Sequence, residues 1–144
     1  MKITQLTHNL SISGQINTQD LEVLVQEGLK TIICNRPDNE VEEQPEFNDL
    51  AQKAAELGIH THYLPLASPT SAISTYRLFQ KILSESPMPA HAFCRSGMRS
   101  FTLHVCSLLD AGCSITDIEK LSISTGYNIH PITQIIKPKN QEQS

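Results

Sequence analysis

Positive charge, long apolar runs and paired cysteines are all scarce in this chain, and each shortage closes off a class of function. Lysine and arginine number 11 against 15 aspartates and glutamates, a formal charge of -4. That leaves no basic footprint for a phosphate backbone, so nucleic acid is not an expected partner. A dispersed acidic excess mainly serves solubility. No apolar stretch approaches the roughly 18 residues that cross a bilayer. The opening residues, Met1-Lys2-Ile3-Thr4-Gln5, lack the apolar core of a secretion signal. No membrane partner is expected. The four cysteines form no Cys-x-x-Cys pair and no zinc pattern: Cys34, Cys94 and Cys106 lie in apolar runs and Cys113 follows a glycine. A reducing, cytoplasmic compartment is the simpler expectation. No internal repeat and no second domain is visible.

What is present is ordinary in bulk. The 144 residues are 39% hydrophobic and 18% charged, enough for one domain with a proper core. We place that domain at residues 1–138, with a polar tail at 139–144. Strand-like runs alternate with helix-like ones. Short strands are expected near residues 5–6, at 10–13 and 31–34, over 59–66, and at 90–93. Helices are expected after Asn17 or Thr18, over 45–57 and 75–83, and from Phe101 onward. A capping box at Thr116-x-x-Glu119 predicts another, and residues 128–137 read as a last short helix or an arm. Alternating elements of this kind predict a single α/β domain with a mostly parallel central sheet flanked by helices. Active loops in such sheets lie at the carboxyl ends of strands. The strands through Ile32, Ile59 and Phe93 should therefore open onto one pocket.

One stretch concentrates chemistry: Cys94-Arg95-Ser96-Gly97-Met98-Arg99-Ser100. A cysteine ends a strand, a tight loop follows, and a helix begins. First-turn N–H groups lack intrahelical partners and carry the positive end of the helix dipole. A thiol there can ionise near neutral pH and attack as a thiolate. The same N–H groups cradle an anion, with Arg95, Ser96, Gly97 and Met98 as the loop. Gly97 allows a positive φ and a close ligand. Arg99 can grip two oxygens at once. Ser100 is placed to donate a hydrogen bond to the sulfur. Arg36, Asp38 and Glu40 follow a neighbouring strand; they line the pocket or supply a proton donor, or else form a polar turn in which Arg36 pairs with a carboxylate. His60 and His62 share a strand face without a third ligand, which reads as a packed or exposed pair rather than a metal site. His104 reads as structural. Cys34 reads as a small buried strand residue, with a resolving thiol as the alternative.

The loop resembles those of cysteine-dependent phosphatases and of rhodaneses. With Ser11-Ile12-Ser13-Gly14-Gln15, the stretch from Gly28 to Asp38, and Gly58 to Leu66, the chain resembles the bacterial beta-lactamase hydrolase-like, phosphatase-like family. The resemblance runs from about Leu6 to Tyr127. It implies a cysteine-phosphatase-like fold and a Cys94 thiolate attacking a phosphate monoester, through a phosphocysteine and without a cofactor or metal. Two departures matter. Tyrosine and dual-specificity phosphatases place five residues between Cys and Arg, whereas here four intervene, the rhodanese spacing. Phe93 stands where those phosphatases commonly carry histidine, and His91 lies three residues before the cysteine. The alternative implied is sulfur transfer through a Cys94 persulfide, and a third is a non-catalytic anion-binding module. The expected partner is a small phosphorylated or sulfane-sulfur substrate, or a phosphoprotein.

Overall fold

Thr31-Ile32-Ile33-Cys34 and Ala90-His91-Ala92-Phe93 are apolar-leaning runs with no polar face, and both become strands buried along their whole length. They lie side by side at the centre of the sheet. The structure, a computed structural model, describes residues 1–129. Strands β1 (Thr4–Gln5), β2 (Leu10–Ser13), β3 (Thr31–Cys34), β4 (His60–Tyr63) and β5 (Ala90–Phe93) form one sheet in the order β1-β2-β5-β3-β4. All neighbours are parallel except β1, which runs antiparallel to β2. The expected mostly parallel α/β sheet is what forms.

Helices cover both faces, as right-handed crossovers require. Side chains alternate across the strands with period two. Leu10, Ile12, Ile33, Ala90 and Ala92 pack with α3 (Ala72–Glu85), α4 (Met98–Asp110) and α5 (Ile115–Thr125). Ile32, Cys34 and Phe93 pack on the other side with α1 (Thr18–Gln26) and α2 (Phe47–Glu56). Asn17 caps α1, with Asp20 closing the box.

Several boundaries differ from expectation. β4 stops at Tyr63, although the chain follows β3 further through Leu64 N–H to Cys34 O and Leu66 N–H to Asn35 O. α3 begins three residues early, after a 3-10 turn at Pro69–Ser71, and this draws Ala72 fully into the core. The capping box of α5 is Ser114 with Asp117, not Thr116 with Glu119. Starting there brings Ile118 fully into the core. Of the stretch expected to be a helix or arm, only Asn128 and Ile129 are described. They are not helical, and Ile129 is buried. The rest of that stretch, the domain limit at 138 and the tail 139–144 lie outside the described residues. Among the described residues no helix is long and apolar enough to cross a membrane.

Candidate functional site

The carboxyl ends of β2, β3 and β5, and the chain leaving β4, meet at one end of the sheet. Cys94 is the first residue past β5 and only 1% exposed. Its own N–H donates to Ser13 O at 3.4 Å. The chain then turns over Arg95 and Ser96 to Gly97, which caps α4 with φ 95°. Only glycine adopts that φ without cost. The turn aims Gly97 N–H at Cys94 Sγ, 3.1 Å away. Backbone N–H groups of Arg95, Ser96, Arg99 and Ser100 meet no acceptor among the described residues. They crowd the positive end of a 13-residue helix. The sulfur thus lies at a loop and helix start rich in backbone donors.

Arg99 is nearly buried, and its donors can be counted. Nη1 gives to Glu40 Oε2 at 2.7 Å and to Leu66 O at 2.9 Å; Nη2 gives to Glu40 Oε1 at 2.9 Å. Three of the five guanidinium hydrogens are thus bound to protein oxygens. Nε–H and the second hydrogen on Nη2 form a second fork that meets no oxygen among the described residues, with the Cys94 sulfur close to the side chain. Arg99 is held more firmly charged than a free arginine, first by the Glu40 hydrogen bond and also by the nearby Cys94 sulfur. Glu40 takes a further bond from Arg36 Nε at 2.9 Å. The Arg99 hydrogen bond, then the Arg36 one, pull its carboxyl down to about 2. Arg36 also donates to Gln15 Oε1 at 3.0 Å. Arg36 thus pairs with a carboxylate, and that carboxylate lines the pocket. Asp38 is used differently. Its Oδ1 accepts from Phe47 N–H at 2.9 Å, at the start of α2.

The pocket itself is an open cavity of about 520 Å³ walled by Glu40, Ser68, Arg95, Ser96, Met98 and Arg99, among others. Arg95 is exposed and, unlike Arg36 and Arg99, has no carboxylate within 4 Å among the described residues. Ser100 corrects an expectation. Its hydroxyl donates not to the sulfur but to Asn35 Oδ1 at 2.8 Å, while Asn35 Nδ2 donates to Leu64 O at 2.9 Å. Asn35 is fully buried just past β3 and needs that donor. Ser100 thus ties the loop helix to the ends of β3 and β4.

Cys34 lies beside the site on β3 and is buried. Burial above all, with the Asp38 and Cys94 charges, pushes its thiol up to about 12. Burial likewise raises Cys106 to about 11. His62 Nε2 meets Ser86 Oγ at 3.2 Å and His60 is exposed. Among the described residues no three of His, Cys, Asp or Glu gather as a metal site.

Three participants escaped the sequence reading. Tyr127 stacks on Phe101 at 4.9 Å and donates its hydroxyl to Ser96 O at 3.2 Å. A Cβ on Gly97 would overlap that hydroxyl. Gly14 packs so tightly that a Cβ there would sit 2.7 Å from Arg95 O. Asn35 buttresses Ser100. For Tyr127 no sequence signal existed; Gly14 ending a strand and Asn35 following one were the available hints.

The family model described as beta-lactamase hydrolase-like protein, phosphatase-like domain, matches residues 2–112. A beta-lactamase hydrolase-like protein of Agrobacterium fabrum is 31% identical over 135 residues, 93% of this chain and 31% of that protein. The chain spans about a third of the length of the curated relatives it matches. A candidate phosphatase of Neisseria meningitidis, solved by crystallography, is 30% identical with a TM-score of 0.76, covering 90% of this chain and 92% of that one. A second crystallised candidate phosphatase, from Shewanella putrefaciens, shares the fold at 17% identity and a TM-score of 0.60, covering 74% and 67%.

Proposed function

The chain belongs to the phosphatase-like domain family of beta-lactamase hydrolase-like proteins, and from that premise we propose that it is a cysteine-dependent phosphatase-like hydrolase. Its substrate is a small phosphorylated molecule or the phosphorylated side chain of a protein. The observation that carries the reading is the sulfur itself: Cys94 Sγ receives Gly97 N–H at 3.1 Å, in a loop whose other amides include several with no acceptor among the described residues, and close to the Arg99 guanidinium. Loop amides and the second fork of that guanidinium hold the phosphoryl oxygens, whose charge they meet without reorganising. The thiolate attacks phosphorus, the bond to the leaving alkoxide breaks, and a phosphocysteine forms. Water then attacks phosphorus, releasing inorganic phosphate and the thiolate. Glu40 holds Arg99 from the far side and keeps the fork turned to the anion.

Proton supply to the leaving oxygen is weak here. Glu40 is held ionised by two arginines and has no proton to give at neutral pH. Asp38 is occupied at the start of α2. General acid help is typically worth 10²–10⁴-fold, so turnover should favour good leaving groups such as aryl phosphates. The four-residue spacing from Cys94 to Arg99 favours a second reading, sulfur transfer through a Cys94 persulfide, which needs no such acid. One purified sample, assayed with an aryl phosphate and separately with thiosulfate plus cyanide, separates them. Hydrolysis of the aryl phosphate, abolished in Cys94→Ser, is the expected result. Thiocyanate production without phosphate release would replace the first reading by the second.

A further inference from the structure

The face of the sheet toward α1 and α2 contains a buried polar chain that the chemistry above does not use. β2 and β5 run parallel with Ser11 opposite His91 and Ser13 opposite Phe93, so Ser11, Ser13 and His91 share one face. His91 is fully buried and both ring nitrogens are engaged. Nδ1 lies 2.7 Å from Ser11 Oγ and Nε2 lies 2.7 Å from Ser13 Oγ. The single hydroxyl proton of Ser13 goes to Gly14 O at 2.8 Å. Ser13 Oγ must therefore accept from Nε2–H. Nδ1 is then the acceptor, and Ser11 Oγ–H donates to it. Burial pushes His91 down to about 4, in keeping with this neutral ring.

The chain does not stop at Gly14. Its carbonyl belongs to the same peptide unit as Gln15 N–H, and that N–H donates to Arg95 O at 3.3 Å. Arg95 O in turn belongs to the peptide unit that carries Ser96 N–H, one of the unpaired donors of the loop. The absent Cβ of Gly14 is what lets the two segments come so close. Every bond from Ser11 onward points in one direction, so each polarises the next.

We propose that Ser11, His91 and Ser13 form a hydrogen-bond relay that positions the Arg95–Ser96 peptide for anion binding, with His91 and Ser13 as positioning residues of the site. The relay supports the loop from β2, the side opposite the Asn35–Ser100 tie. It also gives a purpose to a histidine three residues before the cysteine in a chain with Phe93 at the adjacent position. The proposal rests on the anion-site reading of Cys94.

The test uses protection of Cys94 from iodoacetamide by inorganic phosphate, read by peptide mass spectrometry, in wild type, Ser13→Ala, Ser13→Thr and Ser11→Ala, with melting temperatures alongside. Losing one hydrogen bond of ordinary net strength predicts that the half-protecting phosphate concentration rises about fivefold in Ser13→Ala. Ser13→Thr, which keeps the hydroxyl, should return to within about twofold of wild type. Ser11→Ala, at the half-exposed far end, should show a rise of about twofold in the same direction. Wild-type protection in folded Ser13→Ala would overturn the relay and leave the anion site standing. If Ser13→Ala fails to fold, unchanged protection in Ser11→Ala overturns it equally. A folded Ser13→Thr as weak as Ser13→Ala would mean that packing, not the hydroxyl, sets the loop. Absence of protection in the wild type would overturn relay and anion site together.

Discussion

Arg99 presents two oriented forks at once, one bound to Glu40 and one beyond it with the Cys94 sulfur close by, and no other cation has that shape. Arg99→Lys should therefore be nearly as damaging as Arg99→Ala, each lowering kcat/KM on the order of 10²–10³-fold as loss of a transition-state donor does. Arg95→Ala should cost less, because Arg95 is exposed at the rim. Steady-state kinetics on the three variants checks this; a larger loss in Arg95→Ala than in Arg99→Ala would reassign the anion-binding arginine. Gly97→Ala faces two obstacles, a φ of 95° and the Tyr127 hydroxyl. It should lose activity, and the double variant with Tyr127→Phe should recover only the part due to the hydroxyl, since the ring carbon beneath it would still lie 2.9 Å from the new Cβ. At this scale Cys94, Gly97 and Arg99 were legible because their relation is local, set by a few residues of loop. Ser100 was misjudged and Tyr127 missed because their partners, Asn35 and Ser96, are brought to them by the fold from 65 and 31 residues away.

Among the elements, β2 contributes most to the site without supplying a reacting group. Its last residues hold the loop through Cys94 N–H to Ser13 O and Gln15 N–H to Arg95 O, with Gly14 pressed between. Gly14→Ala should push β2 off the loop, lowering kcat/KM far more than it lowers thermal stability. Parallel kinetics and melting curves test that; equal losses of both would make Gly14 a packing residue only. Strands β3 and β5 were readable as short apolar runs, and α1 from its cap. The starts of α3 and α5 were not: the turn at Pro69–Ser71 leads Ala72 into the core ahead of α3, and at α5 Ser114 and Thr116 compete as caps two residues apart. Local propensity ranks such alternatives closely.

Over the whole molecule, the buried neutral histidines and the ionised Glu40 set how stability responds to acid. His91 is lowered by burial from 6.5 to about 4, and His104 is lowered in the same way. The unfolded chain takes up these protons near pH 6.5 while the folded one refuses them, so stability is full above that pH and falls as pH drops toward 4. Glu40, lowered from 4.5 to about 2 by its arginines, adds stability above pH 4.5 that is lost as pH falls from there toward 2. Urea denaturation from pH 7 to 4 should show a decline on the order of 2–3 kcal/mol, shallower in a folded His91→Asn variant. A flat profile would deny the buried neutral ring. Burial also holds Cys34 and Cys106 as thiols, so a covalent intermediate should concentrate on Cys94. The mostly parallel sheet and the end at which its strands open were readable from the alternation of elements; the strand order and the register that joins β2 to the loop were not, because they depend on pairings between distant strands. The most direct test of the central claim is rapid acid quench of the wild-type protein turning over an aryl phosphate, followed by mass spectrometry of the peptide containing Cys94. A phosphoryl group on Cys94, absent in Cys94→Ser, is the predicted result; turnover that proceeds with Cys94 unmodified, or in Cys94→Ser at the wild-type rate, would contradict it.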